Sequence, residues 1–338
     1  MNDQIEDENT TSFRFEKSQL PELDRVVHLV EKAKKFAAID ILETIQFRKS
    51  NFPIFSLRFG PDDPRLPCLA LFGGVHGLER IGSQTIVSFL ESFVARLEWD
   101  EDLLESLKTV RLLSIPIVNP AGMYMGRRSN HHGVDLMRNA PIEAEGPTPF
   151  LIGGHRITSR IPYYRGKKNE PMELESQAVI NFCEKEILPA SCSIALDVHS
   201  GFGMRDRLWY PYAKSTRQFE RIAEVQSLTS LLKRSYPNHI YVVEPQSQHY
   251  LTHGDLWDYI YEKHQKNPDW NKNLFLPLTL EMGSWLWLKK NPMQILSGSL
   301  AVFHPIAGHR QKRIFRRHIA LFEFLWRASK YYSAGKLI

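Results

Sequence analysis

Apolar and polar residues follow two periodicities along the chain, one typical of helices and one typical of strands. Apolar residues recur at helical spacing over 20–36, between Pro21 at the start and Lys34 and Lys35 at the end. This pattern predicts an N-terminal helix whose basic end suits the helix dipole. From residue 39 onward, short β-rich runs alternate with helical patterns, which predicts an α/β fold with a mixed or mainly parallel sheet.

The predicted elements follow one another without a linker that would divide them. The predicted strands are 39–48, 54–59, 69–72, 110–118, 193–198, 240–243 and 276–281, and the later predicted helices are 83–97, 172–187, 216–232 and 315–331. Only 122–171 lacks a period, and loops of this length are usually functional or disordered. We expect residues 1–38 to form an N-terminal extension with one helix, and residues 39–338 to form one domain.

Composition and charge exclude several classes of protein. The 338 residues are 43% apolar and 24% charged, which is ordinary for a globular protein and excludes disordered, collagen-like and coiled-coil chains. The net charge of +5 is too small to imply a nucleic-acid or membrane partner. The acidic start does not resemble a signal peptide, and the three cysteines form no CxxC pair. We expect a soluble, cytoplasmic protein, and nothing in the sequence indicates its oligomeric state.

Four predicted strands lead directly into polar groups, and these strand ends hold the candidate chemistry. The groups are His76, Glu79, Asn119, His199 and Glu281. Ligands of open α/β sheets bind beyond the carboxyl ends of the strands, so we expect these side chains to converge in one crevice.

The histidines and glutamates among these groups suggest a metal site. Two imidazoles and one carboxylate, with a fourth position left to water, form a standard ligand set for catalytic zinc. Zinc lowers the pKa of a bound water toward about 7, so that a nearby glutamate can take its proton. The H-x-x-[D/E] spacing alone is weak, because chance gives roughly 1.5 matches in a chain of this composition. Of the three matches, at His28, His76 and His132, only the second follows a predicted strand and a glycine turn.

Five short blocks then occur in one order: Gly73–Glu79, Asn119–Gly122, Gly133–Asn139, Leu196–Ser200 and Leu278–Glu281. Together they resemble the zinc metallocarboxypeptidases of the carboxypeptidase A type, especially the bacterial murein-peptide amidases and related deacylases. The resemblance implies a mixed sheet of about eight strands with helices on both faces. It also implies that the domain 39–338 is a zinc-hydrolase catalytic domain.

The resemblance assigns roles to the residues of these blocks. It implies that His76, Glu79 and His199 hold one Zn²⁺ and that Glu281 is the general base. It also implies an arginine upstream of the third block that stabilises the oxyanion of the reaction. Both Arg127 and Arg128 are available, and Arg128 fits the spacing better.

Two further residues concern the substrate. The resemblance implies that Arg138 holds a substrate carboxylate, a planar group that suits a bidentate guanidinium. It places a substrate-capping tyrosine near Tyr250. The family has an asparagine beside this arginine, whereas this chain has Met137, so one expected contact to the carboxylate is missing.

These assignments support competing functions. The first is a zinc-dependent hydrolase of an amide or peptide bond near a carboxylate. The second keeps the same residues but deacylates an N-acyl amino acid or another small amide, and Met137 favours it. A third, from another class, is a catalytically silent binding module. The expected partner is therefore a peptide or acylated amino acid that carries a carboxylate. The basic run at 309–317 is interpreted as the exposed face of a helix and not as a site for nucleic acid.

Overall fold

A mixed sheet of eight strands forms the centre of this computed structural model, which describes residues 20–293, 303–305 and 307–333. The strands are β1 (Ala37–Phe47), β2 (Ser50–Phe59), β3 (Cys68–Gly73), β4 (Arg111–Ile115), β5 (Cys192–Ser200), β6 (Arg207–Tyr210), β7 (Val242–Pro245) and β8 (Leu274–Met282). The helices are α1 (Pro21–Ala33), α2 (Arg80–Arg96), α3 (Glu101–Leu107), α4 (Pro120–Tyr124), α5 (Leu174–Glu186), α6 (Ile222–Ser235), α7 (Leu256–Gln265), α8 (Trp285–Lys290) and α9 (Gly308–Ser333).

The strands lie in the order β1-β2-β4-β3-β5-β8-β6-β7. The central strands β4, β3, β5 and β8 run parallel to one another, while β2 and β6 are antiparallel to their neighbours β4 and β8. Every residue of β3, β4 and β5 is buried, as expected for apolar strands that are covered on both sides. The predicted fold class is therefore confirmed.

Successive residues of β3 show that helices cover both faces of the sheet. The ring of Phe72 contacts Phe182 of α5 and Trp257 of α7, at centroid distances of 6.3 and 4.9 Å. The next residue, Gly73, lies against α2, where an added Cβ would come within 2.9 Å of the Ile86 side chain. Adjacent residues of a strand point to opposite faces, so α2 lies on one face and α5 and α7 on the other.

The N-terminal helix packs onto α2. It covers Pro21–Ala33, within the predicted range, and buries its apolar side in the main core. The Nε of Arg25 donates to Glu91 at 2.8 Å, and Arg80 pairs with Glu22 at 3.1 Å. Residues 1–19 lie outside the described residues, and the boundary after residue 38 stays a prediction.

Several elements differ from the prediction for local reasons. The predicted strand 110–118 is shorter in the structure, because Pro116 follows its last paired residue and has no N–H to donate to the ladder. The pattern did not predict α3, α4, α7, α8 or the four-residue strand β6, which is too short to show an alternation. Within the described residues, no helix combines the length and the apolarity needed to cross a membrane.

The long loop that follows α4 is organised around a buried arginine. The Nε of Arg165 donates to the carbonyl of Arg138 at 3.1 Å, and its Nη2 donates to the carbonyl of Ile142 at 2.8 Å. Its Nη1 pairs with Glu143 at 2.7 Å. This side chain therefore ties together segments of the loop that carries Arg128 and Arg138.

Candidate metal centre and active site

The turn after β3 depends on glycine. Gly74 has a φ of +64°, in the left-handed region that favours glycine. A Cβ on Gly77 would lie 2.2 Å from the carbonyl carbon of Gly122, so only glycine fits there. The turn delivers His76 and Glu79 to the start of α2, where both side chains are buried.

The other two strand-end residues come from neighbouring parallel strands. His199 of β5 and Glu281 of β8 are direct partners in the ladder, and adjacent strands lie about 4.8 Å apart. The backbone therefore sets their two Cα atoms side by side at the same edge of the sheet. His76 and Glu79 follow β3, which is the other neighbour of β5.

The side chains of His76, Glu79 and His199 converge. The Nδ1 atoms of the two histidines lie 3.2 Å apart. Each also lies near one carboxylate oxygen of Glu79, at 2.9 Å for His76 and 3.0 Å for His199. One ligand atom from each residue lies within 4.8 Å of the other two. Two imidazole nitrogens and a carboxylate are a donor set that catalytic zinc prefers, so these residues fit a zinc ion.

The outer nitrogens of both histidines face carboxylates. His76 Nε2 lies 3.1 Å from Asp135, and His199 Nε2 lies 2.7 Å from Asp197. Such carboxylates favour the tautomer that carries its proton on Nε2 and leaves Nδ1 free for a metal. Sequence reasoning gave neither aspartate a role. The available signal was Asp197 itself, an acid inside the apolar run of β5.

The buried charges of the cluster oppose one another. Burial alone lowers the pKa of His199, but the negative charges of Asp197 and Glu79 outweigh it and hold this pKa well above its usual value. Burial alone raises the pKa of Glu79, yet the charges of His76 and His199 hold it well below its usual range. A proton on His199 thus helps to balance the carboxylates, and a divalent cation would displace that proton on binding.

Glu281 differs from the other carboxylates. Burial and the negative charge of Glu79 raise its pKa to about 8. Its buried Oε2 has no hydrogen-bond partner among the described residues. A carboxyl group with a raised pKa in a cleft is typical of acid–base catalysis, and a cation beside Glu79 would lower this pKa again.

One cavity of about 490 Å³ collects the residues that the sequence analysis selected. All seven line it: His76, Glu79, Arg128, Arg138, His199, Tyr250 and Glu281. Arg128 donates from Nε to Asp135 at 2.8 Å and from Nη1 to Glu79 at 3.4 Å. Arg127, the alternative to Arg128, does not line this cavity. The structure thus places the residues together, while their individual roles stay predictions.

Arg138 and Tyr250, predicted to contact the substrate, both line this cavity. Arg138 is buried, and its Nε has no partner among the described residues. Within the described parts of the chain, its Nη1 donates one hydrogen bond, to the neighbouring carbonyl of Met137 at 3.2 Å. Burial raises the pKa of Tyr250, and the charges of Arg138, Glu281 and Arg128 are close enough to act on it.

An aromatic wall that the sequence analysis largely missed completes the cavity. The ring of Phe202 lies 5.0 Å from Trp209, 4.9 Å from His249 and 6.0 Å from Trp285. The available sequence signal was Trp285, which follows Glu281 by four residues. The cavity therefore offers both cations and apolar rings, which suits a substrate that is partly charged and partly apolar.

A protein-family model and several solved structures are similar to this chain. The zinc carboxypeptidase family model matches residues 30–287. No curated protein sequence matches the chain. The structure of bovine thrombin-activatable fibrinolysis inhibitor in complex with tick carboxypeptidase inhibitor is similar, with a TM-score of 0.64 and 16% identity over 95% of this chain and 98% of that one.

Two further solved structures share the fold. Carboxypeptidase A from Helicoverpa armigera has a TM-score of 0.59 and 16% identity, over 92% of this chain and 72% of that one. A metallo-carboxypeptidase from Pseudomonas aeruginosa has a TM-score of 0.54 and 14% identity, over 91% and 69%. The structural likenesses establish the fold, and the family match spans well over half of the chain. The chain therefore belongs to the zinc carboxypeptidase family, as a metallohydrolase whose cofactor is Zn²⁺.

Proposed function

We propose that this enzyme hydrolyses the amide bond next to a free carboxylate and releases the carboxyl-terminal residue of a peptide. The observation that carries the proposal is the state of Arg138 in the cavity of His76, Glu79 and Glu281. Its guanidinium is buried and forms no ion pair among the described residues. The buried carboxylates of Asp255 and Asp135 interact with its charge without a direct contact, and a substrate carboxylate would supply the direct partner that this cation lacks.

The residues of the cavity have complementary roles in this proposal. Zinc, held by His76, Glu79 and His199, would polarise the substrate carbonyl and acidify a water. Glu281 takes a proton from the attacking water and passes it to the leaving amine. Arg128, which Asp135 orients, faces the negative charge that develops on the carbonyl oxygen, a contribution of about 3–4 kcal/mol in comparable sites.

A second candidate function uses the same residues on a different substrate. Met137 lines the cavity beside Arg138, where the family resemblance implies an asparagine. A substrate carboxylate would therefore meet Arg138 without that amide contact. An N-acyl amino acid also carries a carboxylate, and its acyl group would find the aromatic wall around Phe202. This observation favours deacylation as the alternative to peptide cleavage.

A paired substrate panel tests both candidates. Zinc-loaded enzyme is given N-blocked peptides and N-acyl amino acids, each as a free acid and as its carboxyl amide. We expect the free acids to be cleaved with a kcat/KM about 10–100-fold above that of the amides, because a charge-assisted contact to Arg138 is lost in the amides. Release of the last residue indicates a peptidase, and release of the acyl group from amino acids indicates a deacylase.

The variant Arg138→Ala distinguishes binding of the substrate carboxylate from cleavage of the amide bond. It should reduce kcat/KM for the free acids more than for the amides, so that the gap between them closes. Equal rates for acids and amides in the unmodified enzyme, or equal losses in the variant, would show that the cavity does not bind a carboxylate at Arg138.

A further inference from the structure

A second cavity, of about 540 Å³, opens beside the catalytic cavity. Segments 126–133 and 159–163, together with Leu78, form its walls, and we call it the annex. Arg128 and Tyr163 line both cavities. The annex therefore adjoins the catalytic cavity at the residue that we place beside the scissile carbonyl.

The annex is positively charged. Arg127, Arg128 and Arg160 line it, and none of its lining residues is an aspartate or glutamate. Arg127 and Arg160 are exposed, and within the described part of the chain their side chains form no hydrogen bond or ion pair; only their backbone N–H groups do. Two unpaired guanidinium groups beside a third create a positive potential that attracts anions.

The carboxylates that contact the histidines of the annex lie outside its walls. His132 Nδ1 lies 2.6 Å from Glu173, and His131 Nδ1 lies 3.8 Å from Glu175. These two glutamates do not line the annex, and both accept hydrogen bonds from the side-chain amide of Asn130. Arg127 and Arg160 therefore remain available to a ligand.

The junction between the cavities is held in an unusual conformation. Tyr163 has a φ of +69°, which is uncommon for a residue with a bulky side chain. Its ring lies 4.8 Å from the guanidinium carbon of Arg128, so the strained residue sits against the shared arginine. Strain of this kind often marks a site that contacts a ligand.

We infer that the annex binds a negatively charged group on the acyl side of the scissile bond. The inference rests on the proposed function, in which the substrate carboxylate lies at Arg138 and the scissile carbonyl at Arg128. Arg138 lines only the catalytic cavity, whereas Arg128 lines both. The part of the substrate beyond the carbonyl therefore continues toward Arg127 and Arg160. The preferred substrate class is a peptide with an anionic group at each end.

Binding of three matched peptides tests the inference. The ligands are N-acetyl-Glu-Ala-Phe, N-acetyl-Gln-Ala-Phe and N-acetyl-Lys-Ala-Phe, which differ in the charge of one side chain. Titration calorimetry with the zinc-loaded Glu281→Gln variant measures their Kd without turnover. We expect the Glu peptide to bind about 10-fold more tightly than the Gln peptide and the Lys peptide to bind most weakly, with the preference falling as salt rises.

A matched pair of double variants locates the effect. Arg127→Gln with Arg160→Gln, in the same background, should reduce the Glu-to-Gln preference to less than about twofold. Arg313→Gln with Arg316→Gln removes the same charge from the exposed side of α9, outside both cavities, and should leave the preference intact. If the preference arose from the net charge of the whole protein, both double variants would reduce it equally.

Three results would overturn the inference: equal Kd values for the Glu and Gln peptides, a preference that survives in the Arg127 and Arg160 variant, or no binding of any peptide. Hydrolysis of the same peptides by the unmodified enzyme is followed in parallel. Charge-selective binding without cleavage would refute the proposed function and leave the annex as a binding site. Cleavage without charge selectivity would refute the inference about the annex and support the proposed function.

Discussion

Two aspartates orient the imidazole rings of His76 and His199. Asp135 and Asp197 each lie within hydrogen-bond distance of one Nε2, so both rings can point Nδ1 at Glu79. Asp197 also accepts a hydrogen bond from the indole of Trp257 at 2.9 Å, which fixes its own orientation. The orientation of the proposed zinc ligands therefore depends on two residues outside the ligand set.

Replacing either aspartate should weaken zinc binding without emptying the site. We expect Asp135→Asn and Asp197→Asn each to raise the Kd for zinc about 10–100-fold, because the amide loses the charge that favours the ligating tautomer. Competition with a chelating dye at constant pH measures the change. Asp269→Asn, an exposed carboxylate paired with Lys272, is the control. An unchanged Kd in both test variants would contradict this role.

The base and the ligands should respond differently to substitution. Glu281→Gln should retain zinc and lose at least about 100-fold in kcat, because the amide cannot accept a proton. His76→Ala and His199→Ala should lose the metal itself. Metal analysis and kcat, measured on the same preparations, separate the two classes. A Glu281→Gln enzyme with undiminished kcat would remove Glu281 from the mechanism.

At the scale of an element, the turn between β3 and α2 links the stability of the fold to zinc binding. In Gly77→Ala, the new Cβ would lie 2.2 to 2.5 Å from backbone atoms of Gly122 and Met123, which cannot move independently. We expect a loss of about 1–3 kcal/mol in the free energy of unfolding, together with weaker zinc binding, because the turn carries His76 and Glu79.

The control for this turn is Gly308→Ala at the start of α9, where an added Cβ meets nothing within 4 Å. Urea unfolding of the zinc-free proteins gives the stability change, and zinc titration gives the affinity. A Gly77→Ala protein as stable as Gly308→Ala would mean that the close approach of the two backbones is not required.

Long periodic elements could be predicted from the sequence, whereas several short ones could not. The helices predicted at 83–97 and 172–187 are observed at Arg80–Arg96 and Leu174–Glu186, because one apolar face repeats over several turns. Strand β6 has four residues, too few to show an alternation. It nevertheless pairs with β8 and extends the sheet beyond Glu281.

The positions of some site residues could likewise be predicted from the sequence, whereas others could not. His76, Glu79, His199 and Glu281 follow strands directly, so their convergence could be predicted from the topology of an α/β sheet. The positions of Arg128 and Arg138 could not, because the loop that carries them is shaped by hydrogen bonds from Arg165 to distant carbonyls. Only the family resemblance selected these two arginines.

At the scale of the whole molecule, buried histidines couple stability to pH. Burial lowers the pKa of His264 and of His318 from 6.5 to about 4. Both ring nitrogens of His264 lack a hydrogen-bond partner among the described residues, and its ring packs against Phe275. The folded protein therefore holds these rings neutral over a pH range in which the unfolded chain protonates them.

The sign of the effect follows from proton uptake. Between pH 6.5 and 4 the unfolded chain binds more protons, so stability falls as the pH falls through this range, by up to about 3 kcal/mol for each histidine. We expect His264→Phe to flatten part of this decline. Unfolding of zinc-free protein at pH 7.5 and at pH 4.5 measures it. An equal decline in the variant and the parent would show that His264 is not one of the causes.

The pairing of His199 with Glu281 across β5 and β8 has a consequence for how this enzyme could diversify. The spacing of His199 and Glu281 is set by one rung of a hydrogen-bonded ladder, whereas Arg128 and Tyr250 come from loops and Arg138 ends a three-residue 3₁₀ helix between loops. Exchange or lengthening of those loops would change which molecules enter while the distance that governs bond cleavage stays constant. Laboratory evolution of new specificity should therefore accumulate changes in the loops and spare the two strands.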